Sequence, residues 1–155
     1  MAGYVPALFE YDKIIMKGML ANFLLDTNFA GIKLGVSESV MEANELVPSS
    51  RAANDHFYKF KELTLQFDKP VVFKEALFGF ERRLLSRIVF VTNMANYGIL
   101  LNSISDKYGA PLIHVLDQIF DGKAYEWQQN NIRLELNPGL YDQCFLKYSL
   151  TRIIN

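Results

Sequence analysis

Residues 71–92 read VVFKEALFGFERRLLSRIVFVT. Two apolar arms of strand length flank the charged run Glu81-Arg82-Arg83. The flanks, VVF and IVFV, are β-branched and aromatic, and such side chains suit a pleated, packed surface. The middle, KEALFGFERRLL, has high intrinsic helix propensity, so helix is the competing reading. The flanks favour a β-hairpin turning near 81–83, although no Asn-Gly or Asp-Gly dipeptide marks the turn. A hairpin here commits the chain to an antiparallel sheet, and its neighbours must supply the other strands and the cover.

Working toward the N-terminus, strand character begins at Phe57. Leu63, Leu65 and Phe67 alternate with Glu62, Thr64 and Gln66, the pattern of a half-buried strand. Asp68-Lys69-Pro70 ends it. Upstream, PSSRAAND (48–55) reads as a surface loop. Before it, Ser37 is placed to cap a short helix with Glu38 in its first turn. That helix carries Val40, Met41 and Leu46 and stops before Pro48. Residues 29–35 read as a short strand or ordered loop after an Asp26-Thr27-Asn28 turn, and 14–25 as a further strand. The segment 1–13 is too apolar for a loose tail, with Val5, Leu8, Phe9 and Tyr11, and is expected to pack on the domain or on a partner.

Working toward the C-terminus, Asn93 is placed to cap a helix. Its residues Met94, Tyr97, Leu101, Ile104 and Tyr108 share one face, and Gly109 and Pro111 stop it. Gly98 within it suggests a close approach to a strand. A second, shorter helix is expected from Leu112, Val115, Leu116, Ile119 and Phe120, closing at Asp121-Gly122. A three-strand meander ends the chain. Its arms are Lys123 to Trp127, then Ile132, Leu134 and Leu136, then Cys144, Leu146, Tyr148 and Leu150, with Asn137-Pro138-Gly139 turning between the last two. The sum is an α+β fold: an antiparallel, curved sheet of five to six strands packed on one face by two to three short helices. With 155 residues, half of them hydrophobic, the chain reads as a single compact domain over 1–155.

Sixteen basic residues face seventeen acidic ones, for a formal charge of -1. Nucleic-acid binding draws on a basic field that this balance does not supply. No apolar run approaches the ~20 residues of a membrane-spanning helix. The N-terminus lacks a basic leader, and the expected location is cytoplasmic. With a single cysteine, Cys144, no disulfide forms within the chain.

Each half pairs a short helix with an antiparallel meander. Ile32-Lys33-Leu34-Gly35-Val36-Ser37 introduces the first and Tyr108-Gly109-Ala110-Pro111 the second. This arrangement resembles small bacterial modules of the outer-membrane assembly lipoprotein and β-lactamase-inhibitor protein type, in which a glycine precedes a capped short helix and a curved sheet follows. The resemblance implies a binding protein and carries over no functional residue.

Catalytic patterns are missing from the sequence. No phosphate loop, dinucleotide fingerprint or serine elbow occurs, and His56 and His114 stand in no metal-ligand spacing, so no cofactor or metal is expected. A mixed site of both histidines and a carboxylate is left open, and Asp117 with Asp121 could hold a cation, although solvated surface acids are the better reading of that pair. Cys144 alternates with the apolar face of its strand and reads as a buried structural thiol. Strand periodicity puts Glu75 on the side of Val71, Phe73 and Leu77, where a carboxylate must be paired or carry a raised pKa. Glu75, His56 and His114 are therefore the weak polar-site candidates, and an enzyme would need them, or Glu10 and Asp12, gathered in one cleft.

Aromatic residues are the stronger signal, at twelve Phe, eight Tyr and one Trp. Tyr125 and Trp127 share a strand face, and Tyr141 and Tyr148 lie in the same meander. Tyrosine and tryptophan combine apolar area with a polar handle, which suits interfaces. These four residues are the protein-interface candidates. The expected function is a non-enzymatic interaction module, an inhibitor, immunity-like or adaptor protein, with a protein partner or self-association as a homodimer. The alternatives are a binder of a small apolar ligand with its pocket between sheet and helix, and an enzyme of unidentified class.

Overall fold

The computed structural model describes residues 28–29, 32–43, 47–51, 53–116, 122–129 and 131–151. A small hairpin comes first, β1 (Asn28–Phe29) with β2 (Ile32–Lys33), followed by a short helix α1 (Ser39–Ala43). Four strands follow: β3 (Ser50–Arg51), β4 (Asp55–Gln66), β5 (Pro70–Glu81) and β6 (Leu84–Asn93). A 3₁₀ turn at Met94–Asn96 leads into α2 (Tyr97–Tyr108). The last four strands are β7 (Leu112–Val115), β8 (Lys123–Gln129), β9 (Ile132–Pro138) and β10 (Gln143–Leu150). Every pairing among the described strands is antiparallel.

Strands β3 to β10 form one sheet in the order β3-β4-β5-β6-β10-β9-β8-β7. Each half of the chain is thus a helix followed by a four-strand meander. The last strands of the two meanders, β6 and β10, meet at the centre, from Asn93↔Gln143 to Arg87↔Ser149. The first strands, β3 and β7, become the two edges.

The α+β class and the antiparallel sheet agree with the sequence, but the expected details need correcting. Among the described residues the sheet has eight strands rather than five or six, and it is open, with two edges, rather than a curved sheet curling on itself. Among the described residues one substantial helix, α2, covers it in place of two or three, since α1 is only five residues long. Two misread segments account for the difference. The polar loop 48–55 contributes β3, and the segment after Pro111, expected to be helix, forms β7 on β8. Four residues gain little as an isolated helix, because nucleation is unfavourable, whereas pairing with an existing strand satisfies their backbone directly. The rest of that expected helix, the strand expected at 14–25 and the segment 1–13 lie outside the described residues.

The decisive hairpin forms where expected. Glu81 pairs with Leu84, and the turn residues Arg82 and Arg83 have φ of 52° and 68°. Two successive left-handed residues match the twist of the strands they join, a geometry normally given to Asn-Gly. Here tertiary bonds hold arginines in it. The Arg82 N–H donates to the Asn54 carbonyl, and the Arg83 carbonyl accepts from the Glu38 N–H, both at 2.8 Å.

The core lies on one face of the sheet. Tyr58, Val71, Phe73, Phe78, Phe80, Ile88, Phe90, Leu134, Leu136, Leu146 and Tyr148 are buried there, with Leu34 and Met41 from the N-terminal side. Helix α2 contributes the fully buried Leu100 and Ile104, with Tyr97, Leu101 and Tyr108 partly buried beside them. Its N-terminal turn is capped by the Asn93 side chain, which accepts from the Ala95 N–H. Gly109, at φ 92°, ends it, and its N–H donates to the Ser105 carbonyl. Gly98 makes no close approach: it is exposed, with open space where a Cβ would stand. Ile104→Ala is expected to lower stability by about 2–5 kcal/mol, and the exposed Asn102→Ala to stay within ~0.5 kcal/mol. Urea unfolding of the two variants checks the assigned face.

Candidate interaction surface and the Glu38 cluster

The four aromatic interface candidates separate. Tyr148 is fully buried at the centre of β10, opposite Ile88 on β6 and Leu134 on β9. Trp127 is also buried, and its indole N–H donates to the Gly109 carbonyl at 2.9 Å, fastening the end of α2 to β8. Tyr125 lies on the same strand face as expected, but that face points inward. Its ring packs 6.1 Å from the Tyr97 ring of α2, and only part of it reaches solvent. Tyr141 is the exception. It stands 92% exposed in the β9–β10 turn, where Tyr141 and Asp142 adopt φ of 56° and 61°. The period-two pattern identified the shared face correctly, but only the position of α2 tells which side is covered.

The exposed apolar surface lies largely elsewhere. Among the described residues, seven large hydrophobic side chains are exposed; three are on β7 and two, Leu140 and Tyr141, in the β9–β10 turn. On β7, Leu112, Ile113 and Val115 are 61%, 50% and 79% exposed, so both faces of the strand are open. Leu116, just beyond the strand, joins Pro138, Leu140, Tyr141 and Phe145 around an apolar hollow of about 480 Å³. The surface therefore runs from the β7 edge onto one corner of the sheet. The sequence missed it because Leu112 and Val115 were expected to be the buried face of a helix.

Backbone phase completes this edge. The Leu116 N–H donates to the Gly122 carbonyl at 3.1 Å, and Leu112, His114 and Val115 stand opposite Glu126, Ala124 and Lys123. In an antiparallel pair, hydrogen-bonded positions alternate. Residues 112, 114 and 116 therefore turn their main chain toward β8, while Ile113 and Val115 present theirs to the outer edge, which no other described strand pairs. On the side-chain level, His114 is held at 2.9 Å by Glu126, which also pairs with Arg133 at 3.3 Å.

A second cluster surrounds Glu38, only 2% exposed. The strand-like segment 34–38 runs beside β6, with Gly35 and Leu85 N–H groups donating to the Leu85 and Val36 carbonyls, and delivers Glu38 to this position. Tyr58 donates its hydroxyl to the Glu38 carboxylate at 2.5 Å, and His56 Nδ1 lies 2.6 Å from the same oxygen. Arg83 Nε stands 3.5 Å away and its Nη2 2.5 Å from Glu42. Burial works to raise the Glu38 pKa. The hydrogen bonds of Tyr58 and His56, with the charges of His56 and Arg83, outweigh it and leave the group below its ordinary value. Burial, then Glu38 itself, holds the Tyr58 phenol well above its usual range.

These residues line a cleft of about 370 Å³ with Glu42, Val47, Pro48 and Arg51. A carboxylate on His Nδ1 is the arrangement that orients a general base. Among the described residues, however, the lining includes no Ser, Thr or Cys to serve as nucleophile, and the carboxylate is satisfied by its partners. The cluster can act as a clamp: it ties the start of α1 to β4 and to the β5–β6 turn. The sequence placed Glu38 in the first turn of a short helix, which says nothing of its burial. Its partners His56 and Tyr58 are 18 and 20 residues away, so no local spacing signals them.

The remaining candidates do not converge. His56 lies on β4 and His114 on β7, toward opposite edges of the sheet, so no single site uses both. No group of three potential metal ligands occurs among the described residues. Glu75 is paired with Lys59 at 2.9 Å and does not share the side of Val71 and Phe73. Burial on β5 changes phase between Phe73 and Ala76, and on β4 between Tyr58 and Leu65. The left-handed Glu62, at φ 43°, sits within that span. Glu10, Asp12, Asp117 and Asp121 lie outside the described residues. Cys144 is buried, its pKa pushed up to about 11 by burial, so it is a thiol at neutral pH. Among the described residues no helix is long and apolar enough to cross a membrane. Comparison with protein-family models, characterised proteins and solved structures finds no match.

The depressed Glu38 pKa makes a linkage prediction. Its contribution to stability is complete above the ordinary value of 4.5 and is lost as pH falls through the lower folded value. Glu38→Gln is expected to be about 1–3 kcal/mol less stable than the parent at pH 7, because buried partners lose a charged acceptor. The gap should narrow as pH falls below 4.5 and through the lower folded value. Urea midpoints of both proteins across that range check it; a constant gap would show that Glu38 does not titrate as a buried carboxylate.

Proposed function

We propose that this chain is a non-enzymatic protein-interaction module that docks its partner along the open edge of β7 and the apolar corner beside it. The observation that carries this reading is the contrast between the two sheet edges. Open strands invite pairing with other chains, and proteins blunt them with short length, charge or proline. The β3 edge follows that rule, with two exposed residues, Ser50 and Arg51, shortly after Pro48. The β7 edge breaks it on both faces with Leu112, Ile113 and Val115. Fully burying such a side chain is worth about 1.5–3 kcal/mol, and outward main-chain groups at Ile113 and Val115 add register.

A small ligand between sheet and helix has less support. The interior under α2 is filled by Leu100, Ile104, Trp127 and Leu136. The cleft beyond it, about 600 Å³ between Lys107, Tyr108, Trp127 and Gln129, is wide open.

Val115→Pro tests the reading. It removes an outward-facing donor, while the β7–β8 bonds, carried by 112, 114 and 116, stay. The parent protein is expected to associate with itself or with a protein from cell extract, by light scattering and tagged capture, and the variant to lose that association with its fold intact by circular dichroism. A parent that stays monomeric and captures nothing, or an association that survives Val115→Pro, overturns the proposal.

A further inference from the structure

We infer that the occupant of the β7 edge is a second copy of this chain, paired antiparallel through β7 about a two-fold axis at His114. The inference rests on β7 being the docking edge, and adds the partner and the register.

A two-fold axis perpendicular to the sheet keeps the covered face of one copy continuous with the covered face of the other. Side chains alternate in direction along a strand. Directly opposed positions must therefore be both odd or both even, and the axis passes through a residue rather than between two. On β7 the inner choices are Ile113 and His114.

The main chain separates them. Ile113 and Val115 hold the outward N–H and C=O groups, as fixed by the Leu116 to Gly122 bond. With the axis at Ile113, Val115 would face Pro111 of the partner subunit, which has no N–H to give. With the axis at His114, Ile113 faces Val115 of the partner subunit and each donates to the other, twice over by symmetry. No outward group of β7 is left unpaired.

Side chains fit the same register. Ile113 meets Val115 of the partner subunit on one face, and Leu112 meets Leu116 of the partner subunit on the other. Leu112, Ile113 and Val115 are the apolar groups that β7 leaves in water, and Leu116 beside them is half-buried. The two His114 rings meet at the axis as a non-hydrogen-bonded pair, each already held by its own Glu126 at 2.9 Å. A formal charge of -1 gives the copies little long-range repulsion. The strand therefore complements itself, with no other sequence required. A four-residue strand pair lies toward the low end of interface size, so dissociation constants of about 1 μM to 1 mM are expected.

Single-cysteine cross-linking of the full chain tests partner and register together. In a non-hydrogen-bonded antiparallel pair the Cα atoms stand about 4.5 Å apart, within disulfide range. His114→Cys is expected to oxidise to a disulfide dimer at least ~10-fold faster than Ile113→Cys or Val115→Cys alone, whose own copies stand beyond the ~7 Å limit. A mixture of the last two variants should cross-link to each other. The native Cys144 is buried and serves as the internal control. Sedimentation velocity of the parent should show dimer growing with concentration, and Val115→Pro should remove it.

Preferred cross-linking at Ile113→Cys, or equal rates at all three positions, overturns the register. A parent protein that stays monomeric to about 1 mM overturns the second copy as partner. If another protein then binds the parent and not Val115→Pro, the β7 docking reading stands without the dimer. If Val115→Pro changes no association of either kind, both fall.

Discussion

The structure depends on the pairing of β6 with β10. Each half of the chain makes a four-strand meander by local turns, and a meander alone has two open edges. Antiparallel contact from Asn93↔Gln143 to Arg87↔Ser149 fuses the halves into one sheet. It also brings Phe90 against Leu146 and Ile88 against Tyr148, and so makes one continuous apolar face of two partial ones. Because the last strands of the meanders meet, their first strands must lie outermost. The identity of the exposed edges is therefore a consequence of the central seam.

One-sided burial governs the rest. Helix α2 sits over the C-terminal meander and is tied to it by the Trp127 indole and by the Tyr97 hydroxyl, which lies within hydrogen-bond reach of the Lys123 and Leu136 carbonyls. Over the N-terminal meander the described cover is lighter: segment 34–38 and α1, with Leu34 and Met41 entering the core. A short helix with so little apolar area needs another attachment, and the Glu38 cluster supplies it. The buried carboxylate binds Tyr58 and His56 from β4, while the Glu38 N–H binds the turn that closes the decisive hairpin. A histidine, a tyrosine and two acids in a cleft invite a catalytic interpretation. Their mutual satisfaction favours a structural one.

The two edge strands of the described sheet differ in length and polarity. They occupy equivalent places in the two meanders, yet β3 is polar and minimal while β7 is apolar on both faces. Exposed apolar strands carry a risk of unwanted pairing. Among the described residues, one edge is thus a short polar strand, while the other leaves large apolar side chains in water.

Much of the local structure was legible from the residues. Alternation located β4, β8, β9 and β10, β-branched flanks settled the 71–92 hairpin against its helical centre, and Asn93, Gly109 and Pro111 marked the bounds of α2. These features depend on near neighbours, and near neighbours are what periodicity and capping record. Three things required the tertiary structure. Segment 112–115 became a strand because β8 was there to pair with it, against a helical spacing of Leu112, Val115 and Leu116. Tyr125 and Trp127 turned out to face inward because α2 covers that side, and a period of two cannot say which side is covered. Glu38 found His56 and Tyr58 only when β4 was laid beside the start of α1. By itself the sequence determined which residues of β8, β9 and β10 share a face; the sheet order decided which faces meet protein and which meet water, because burial is set by what the rest of the chain brings to each surface.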